Sequence, residues 1–218
     1  MTSVSKFDPT SGSSQKITSD INKVTTCNFL SSPALSNNVF TKEECKTIIE
    51  MGRTWEQIDA QIQTKSAEEE SEKNDDYRNC KMFAPPIDET ESWLWIRNKI
   101  SETIDDFNDK DGWKFNLIGM AELPVMMEYL EGVGKYDWHM DLGAGQTSTR
   151  KLGFSLFLND DYEGGEIQFK TGLYNFIPGQ QETGNLLFFP SYLVHRVTLV
   201  TKGTRSVIVG WVHGNTFS

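Results

Sequence analysis

From about Phe115 onward the chain alternates short apolar segments, rich in Val, Ile, Phe, Leu and Tyr, with Gly, Pro and Asn turns. Candidate strands are 123–130, 136–141, 151–158, 166–169, 186–189, 195–199 and 205–212. Turn signals fall between them at Gly132-Val133-Gly134, Glu163-Gly164-Gly165, Pro178-Gly179 and Thr201-Lys202-Gly203. The Glu163-Gly164-Gly165-Glu166 stretch reads as a tight turn into a strand, with glycine supplying unusual backbone angles. No Lys-Ser/Thr pair and no helix follow it, which argues against a phosphate loop. Many short strands at this spacing predict a sandwich or jelly roll.

Upstream, the period changes to that of helices. Phe40-Thr41-Lys42-Glu43-Glu44 opens one helix, with Thr41 as cap, Glu44 at the capping-box position and Phe40 as a staple. Ile48, Ile49 and Met51 supply part of its apolar face. A second helix follows Asp88, where Trp93, Ile96, Ile100, Ile104 and Phe107 recur at helical spacing. Both are expected to flank one sheet, giving an α+β class that is mainly β. Residues 66–76 form a charge run and read as a solvated loop. Residues 1–25, rich in Ser, Thr, Lys and Asp, read as a flexible arm or a loosely attached first strand. The expected organisation is this arm and one domain over 26–218, with its core over 115–213.

Composition narrows the classes. At 218 residues, 37% hydrophobic and 11% aromatic, the chain can bury a core. Thirteen Phe and six Trp suit a β-rich interior. No apolar run approaches the ~20 residues of a membrane helix. Met1-Thr2-Ser3-Val4-Ser5-Lys6 leads into no apolar core, so a secretory signal is not expected. Cys27, Cys45 and Cys80 are scattered and odd in number, which fits a reducing cytoplasm and argues against a disulfide framework or a thiolate metal site. The net charge of −10 argues against nucleic acid as a partner.

The candidate chemistry sits in the strand-rich half. His139 and Asp141 are two residues apart, and on a strand such positions face the same way, roughly 7 Å apart. A metal ion fits between an imidazole and a carboxylate presented like that, with His195 as a third ligand from another strand. Two histidines and a carboxylate with open positions form the facial triad of non-haem Fe(II) oxygenases. Arg205 offers a fixed positive charge for a carboxylate-bearing co-substrate. The turn at Thr201-Lys202-Gly203 predicts a hairpin that sets His195 and Arg205 on neighbouring strands. The same ligands also suit zinc, as in a hydrolase, and a non-catalytic binding module on this fold is a third reading. The third histidine, His213, reads as structural or exposed, Trp138 and Trp211 as core or pocket wall, and Arg196 and Lys202 as surface charges.

Four further segments carry a family resemblance. They are Tyr129-Leu130-Glu131-Gly132-Val133-Gly134-Lys135-Tyr136-Asp137-Trp138-His139-Met140-Asp141, then Phe157-Leu158-Asn159-Asp160-Asp161-Tyr162-Glu163-Gly164-Gly165-Glu166, then Pro190-Ser191-Tyr192-Leu193-Val194-His195-Arg196-Val197, and finally Thr201-Lys202-Gly203-Thr204-Arg205-Ser206 with Gly210-Trp211. In this order they resemble the prolyl-4-hydroxylase-like branch of the Fe(II)/2-oxoglutarate-dependent dioxygenases, and within it the PKHD-type hydroxylases. The resemblance implies a double-stranded β-helix. It implies Fe(II) on His139, Asp141 and His195, and the distal carboxylate of 2-oxoglutarate on Arg205, with Tyr129 hydrogen-bonding the same end. Some relatives carry a tyrosine where Phe157 stands, and that hydroxyl is absent here. Arg78 matches an early strand bordering the pocket, as a substrate-side group or a structural ion pair. The implied activity is hydroxylation of a prolyl residue, or another peptidyl or small-molecule C–H, with O2 consumed, succinate and CO2 released, and ascorbate as reductant. Residues 64–79 are expected to form a lid over the pocket, or a plain surface insertion.

Overall fold

A computed structural model describes residues 30–58, 76–87, 91–171, 174–176 and 181–216. The expected arm over 1–25 and most of the expected lid over 64–79 lie outside these residues. Helix α1 (Lys42–Gly52) starts as its sequence dictates: the Glu44 N–H donates to Thr41 Oγ1 at 3.1 Å, and the Thr41 N–H donates to the Glu44 carboxylate at 2.7 Å. Helix α2 (Glu91–Lys110) buries Trp93, Ile96, Ile100 and Ile104 along one stripe. Lys99 of α2 pairs with Glu44 of α1 at 2.9 Å.

The strands form two main antiparallel walls. In the large sheet the order is β1 (Ala34–Ser36), β12 (Leu186–Pro190), β8 (Arg150–Phe157), β15 (Thr204–Gly214), β6 (Val125–Leu130), β4 (Lys81–Ala84) and β2 (Glu56–Ile58), with β5 (Leu117–Gly119) also paired to β15. In the small sheet it is β11 (Tyr174–Phe176), β10 (Ile167–Thr171), β13 (Val194–Val197), β7 (Lys135–His139) and β3 (Arg78–Asn79). A separate two-stranded ribbon joins β14 (Val200–Lys202) to β9 (Glu163–Gly164). The result is the expected mainly β jelly roll with both helices on one sheet.

The large sheet is covered on both faces, which explains why its central strands read as unbroken apolar runs. Met126, Phe154, Leu156, Phe188 and Ile208 point to α1 and α2 and join Cys45, Ile48, Ile100 and Ile104 in one core. Their strand neighbours Met127, Phe157, Leu187, Phe189 and Val207 point the other way and meet Ile167, Phe169 and Val197 of the small sheet. The functional residues stand in this second, inter-sheet core.

Two local expectations change. Strands β13 and β15 do not form a hairpin: β13 pairs with β10 and β7, and β15 with β8 and β6. Between them β14 pairs with β9 and carries the chain from the small wall to the large one. Also, β7 ends at His139, so Asp141 follows the strand rather than lying on it. Strands β1, β2, β3 and β4, all upstream of residue 115, take part in the walls.

Candidate metal centre and anion seat

His139 closes β7 directly opposite His195 of β13. The pairing sets the two imidazoles side by side toward the inter-sheet core, with ring centroids 4.1 Å apart. Asp141 is brought back to them by its loop: its own N–H and that of Leu142 both donate to the Ser191 carbonyl, at 3.0 and 2.9 Å. Asp141 Oδ1 then lies 3.7 Å from His139 Nε2, and Oδ2 lies 3.8 Å from His195 Nε2. Those gaps are too long for hydrogen bonds. Donors that each reach a common ion at about 2.1 Å can stand up to about 4.2 Å apart, so the gaps suit a shared metal. One ligand atom from each of the three residues lies within 4.8 Å of the others, and no other such group occurs among the described residues.

The imidazoles are prepared as ligands. His139 Nδ1 lies 2.7 Å from the Asp137 carbonyl and His195 Nδ1 lies 2.9 Å from the Leu193 carbonyl. A carbonyl only accepts, so each Nδ1 carries the proton and each Nε2 presents a lone pair toward Asp141. Burial pushes the His139 pKa down to about 3, with neighbouring His195 adding to the effect, so this ring is neutral at neutral pH. Tyr136 stacks flat on His139 at 3.6 Å, and the Arg78 guanidinium caps Tyr136 at 4.7 Å. Arg78 also approaches the sulfurs of Met82 and Met127, at 3.2 and 3.5 Å. It is therefore a buried neighbour of the centre. The last residues of the expected lid are tied down here, because Tyr77 accepts from the Asp137 N–H and donates to the Trp138 carbonyl.

Two neighbours of Asp141 carried no signal in the sequence. Gly153 lies against its carboxylate, where any side chain would intrude. Arg150 forks onto Glu122, with Nε to Oε1 at 2.7 Å, stacks on Trp211 at 3.6 Å and donates to the Asp141 carbonyl at 3.3 Å. Trp211 is thus the platform for Arg150. His213 is buried and held by Thr149 at 2.9 Å, outside the ligand cluster. Trp138 carries Lys170 and Arg196 over its ring, at 4.2 and 4.6 Å.

Arg205 stands on the opposite wall. It pairs in register with Tyr129 of β6 and is 1% exposed. Asn159 pins the strand on either side of it, accepting from the Ser206 N–H at 2.8 Å and donating to the Thr204 carbonyl at 2.7 Å. The guanidinium lies 5.1 Å from the Tyr129 ring and 5.6 Å from the Phe157 ring. Its Nε has no hydrogen-bond partner, and it forms no ion pair among the described residues. Tyr129 donates weakly to Met127 Sδ at 3.6 Å and also lies against the Cys80 thiol, and burial pushes its phenol above the usual range. Gly165, at φ +62°, lies so near that a Cβ there would meet Arg205 Cδ at 2.9 Å. The Glu163-Gly164-Gly165 turn therefore does more than reverse the chain: its bare backbone makes room for the arginine stem.

The donor set fits a divalent transition metal with positions left open, and the buried guanidinium fits an anion beside it. A single apolar cluster links the two, with Tyr129 and Phe157 near Arg205 and Phe169 and Phe189 around His195.

Residues 125–213 match the family described as the 2OG-Fe(II) oxygenase superfamily. The chain is 38% identical over 84 residues to a PKHD-type hydroxylase of Synechococcus sp. (strain CC9311), covering 38% of each chain. It is 30% identical over 156 residues to a PKHD-type hydroxylase of Rippkaea orientalis (strain PCC 8801 / RF-1), covering 59% of this chain and 68% of that one. The matches to the first relatives span 35–38% of their length. Among solved structures, a prolyl-4-hydroxylase of Pseudomonas putida aligns with a TM-score of 0.66 at 15% identity, covering 84% of this chain and 92% of that one. A prolyl hydroxylase of Trichoplax adhaerens, in complex with a hypoxia inducible factor oxygen degradation domain peptide fragment, aligns with a TM-score of 0.66 at 15% identity, covering 83% of each. At such identity the likeness to the solved structures is one of fold.

Proposed function

Because the chain belongs to the 2OG-Fe(II) oxygenase superfamily, we propose that it is an Fe(II)- and 2-oxoglutarate-dependent dioxygenase that hydroxylates a prolyl residue of a peptide or protein. The observation that carries this reading is the pairing of the His139, Asp141 and His195 cluster with Arg205, a buried cation that forms no ion pair among the described residues. A charge removed from water without a counter-ion is strongly unfavourable, so the site calls for an anion. A zinc hydrolase on the same ligands has no use for that cation.

In this assignment His139, Asp141 and His195 hold Fe(II). Arg205 receives the distal carboxylate of 2-oxoglutarate, and Tyr129 hydrogen-bonds the same end. Once bound, the metal and co-substrate supply the oxidising chemistry: O2 is reduced as 2-oxoglutarate loses CO2 to become succinate, and a substrate C–H becomes C–OH. The chain's part is to orient and to shield. The carbonyls of Asp137 and Leu193 keep both histidines in the metal-binding tautomer, and Phe169 and Phe189 keep water from the His195 side. Met140, between two of the ligands, is exposed, so the segment that carries them runs along the protein surface. The peptide-bound Trichoplax neighbour supports a peptide or protein substrate. Cys45 and Cys80 are free thiols, which supports a reducing cytoplasmic setting; ascorbate as reductant rests on the family resemblance alone.

Anaerobic titration with Fe(II) and 2-oxoglutarate tests the reading. Wild type is expected to give a weak visible metal-to-ligand charge-transfer band that Asp141→Ala abolishes. Its absence from correctly folded wild-type protein would falsify the assignment. Succinate release measured by mass spectrometry across proline-containing peptides and free amino acids then tests the substrate class.

A further inference from the structure

The seat around Arg205 contains a second buried donor for which the described residues supply no acceptor. Tyr162 precedes the Glu163-Gly164-Gly165 turn, and its ring is partly exposed, but its hydroxyl is buried and finds no acceptor for its proton. Burial raises its pKa, and the Arg205 guanidinium, which lies beside it and can donate to the phenol oxygen, opposes that rise. Gly165 packs against both residues: a Cβ there would meet Arg205 Cδ at 2.9 Å and the Tyr162 ring at 3.4 Å. The nearby carboxylates are engaged elsewhere, Asp160 by the Thr183 N–H and Asp161 by Asn159 Nδ2. Two donors, Arg205 Nε and the Tyr162 hydroxyl, are thus buried in one place without acceptors. A buried donor left unpaired costs stability, so two in one spot mark a place built for something that accepts from both.

We propose that the Tyr162 hydroxyl is the second donor of the carboxylate seat formed by Arg205, and so fixes the co-substrate's distal carboxylate. This rests on the reading that Arg205 receives 2-oxoglutarate. A carboxylate oxygen accepts several hydrogen bonds, so one group can satisfy the guanidinium and the phenol together. Phe157 also faces Arg205 across the seat, at 5.6 Å, but its ring offers no donor. Tyr162 therefore supplies from the turn a hydroxyl that the β8 position lacks.

The test is calorimetric titration of 2-oxoglutarate into protein loaded with Mn(II), which fills the metal site without turnover, with pyruvate as a ligand that lacks the distal carboxylate. Tyr162→Phe is expected to weaken 2-oxoglutarate binding roughly 10- to 100-fold, as loss of a hydrogen bond to a charged group does. Mn(II) and pyruvate binding should stay unchanged. The ligand-free variant should melt at or above the wild-type temperature, because an unsatisfied buried hydroxyl has been removed, whereas a structural tyrosine would show the reverse. Adding Phe157→Tyr to Tyr162→Phe should restore part of the lost affinity. Folded Tyr162→Phe that binds 2-oxoglutarate like wild type overturns this assignment alone. Wild type that binds Mn(II) but no 2-oxoglutarate overturns the co-substrate reading with it.

Discussion

A Cβ on Gly153 would lie 2.5 Å from Oδ2 of Asp141, and 3.0 Å from the Phe189 ring on its other side. Gly153 lies mid-strand in β8 and needs no unusual backbone angle, so its smallness serves the carboxylate rather than the chain. Gly153→Ala is expected to push Asp141 off the line between the two histidines. Metal affinity should fall at least tenfold, with a stability loss of about 1–3 kcal/mol from overpacking. Mn(II) titration beside thermal melting checks both, and unchanged metal affinity would contradict the role.

Arg205→Met tests the buried cation. Replacing a buried charge that lacks a counter-ion with an apolar side chain of similar length should stabilise the ligand-free protein, by about 1 kcal/mol or more. It should also abolish the thermal shift that 2-oxoglutarate gives the Mn(II)-loaded wild type. Metal binding should change far less than co-substrate binding. Equal loss of both would mean that Arg205 supports the metal centre instead.

Arg150 reaches Asp141 through its carbonyl while anchored on Glu122 and Trp211. Arg150→Lys keeps the charge but loses the fork and the flat stack. Metal affinity should drop about 10- to 100-fold, the range typical of lost outer-shell contacts. The ratio of 2-oxoglutarate to pyruvate affinity should hold, which separates this residue from the carboxylate seat.

The helices and the central strands were legible from period alone. One amphipathic stripe predicts α2, and strands buried on both faces can only read as apolar. The triad residues were visible because so few histidines occur and two of them flank strand signals. What stayed hidden depends on distant pairing. The turn at Thr201-Lys202-Gly203 signals a hairpin locally, but its strand finds β9 instead. Arg150 needs Glu122, 28 residues away, before it means anything. Tyr162 sits in a polar turn, and only the fold shows its hydroxyl to be buried. The short strands β1 to β4 contain too few residues to show a period.

Cys45 gives a pH signature outside the centre. Burial on the inner face of α1 pushes its thiol up to about 12 from the ordinary value of 9.0, with Glu44 adding to the effect. A group whose folded pKa is raised contributes stability that is fully present below the unfolded pKa and fades as pH rises through the folded one. The loss therefore runs between pH 9.0 and about 12. Cys45→Ala should flatten the alkaline fall of the melting temperature across that window. The native thiol should also resist alkylation at pH 8, reacting only after unfolding. Rapid labelling of folded protein would count against the buried placement.

The crossing at β14 leaves the histidines on the small wall and Arg205 on the large one. Facing sheets stand about 10 Å apart, a clearance set by the packed side chains between them. Under the assignment proposed here, the barrel works as a calliper. One jaw grips the metal-binding end of the diacid and the other its far carboxylate, so chain length is measured by the gap between sheets. A homologue one methylene shorter or longer would meet both jaws only if the walls shifted, and a close-packed interior resists that. Selectivity for the diacid would then belong to the whole fold, and core substitutions far from Arg205 would loosen it.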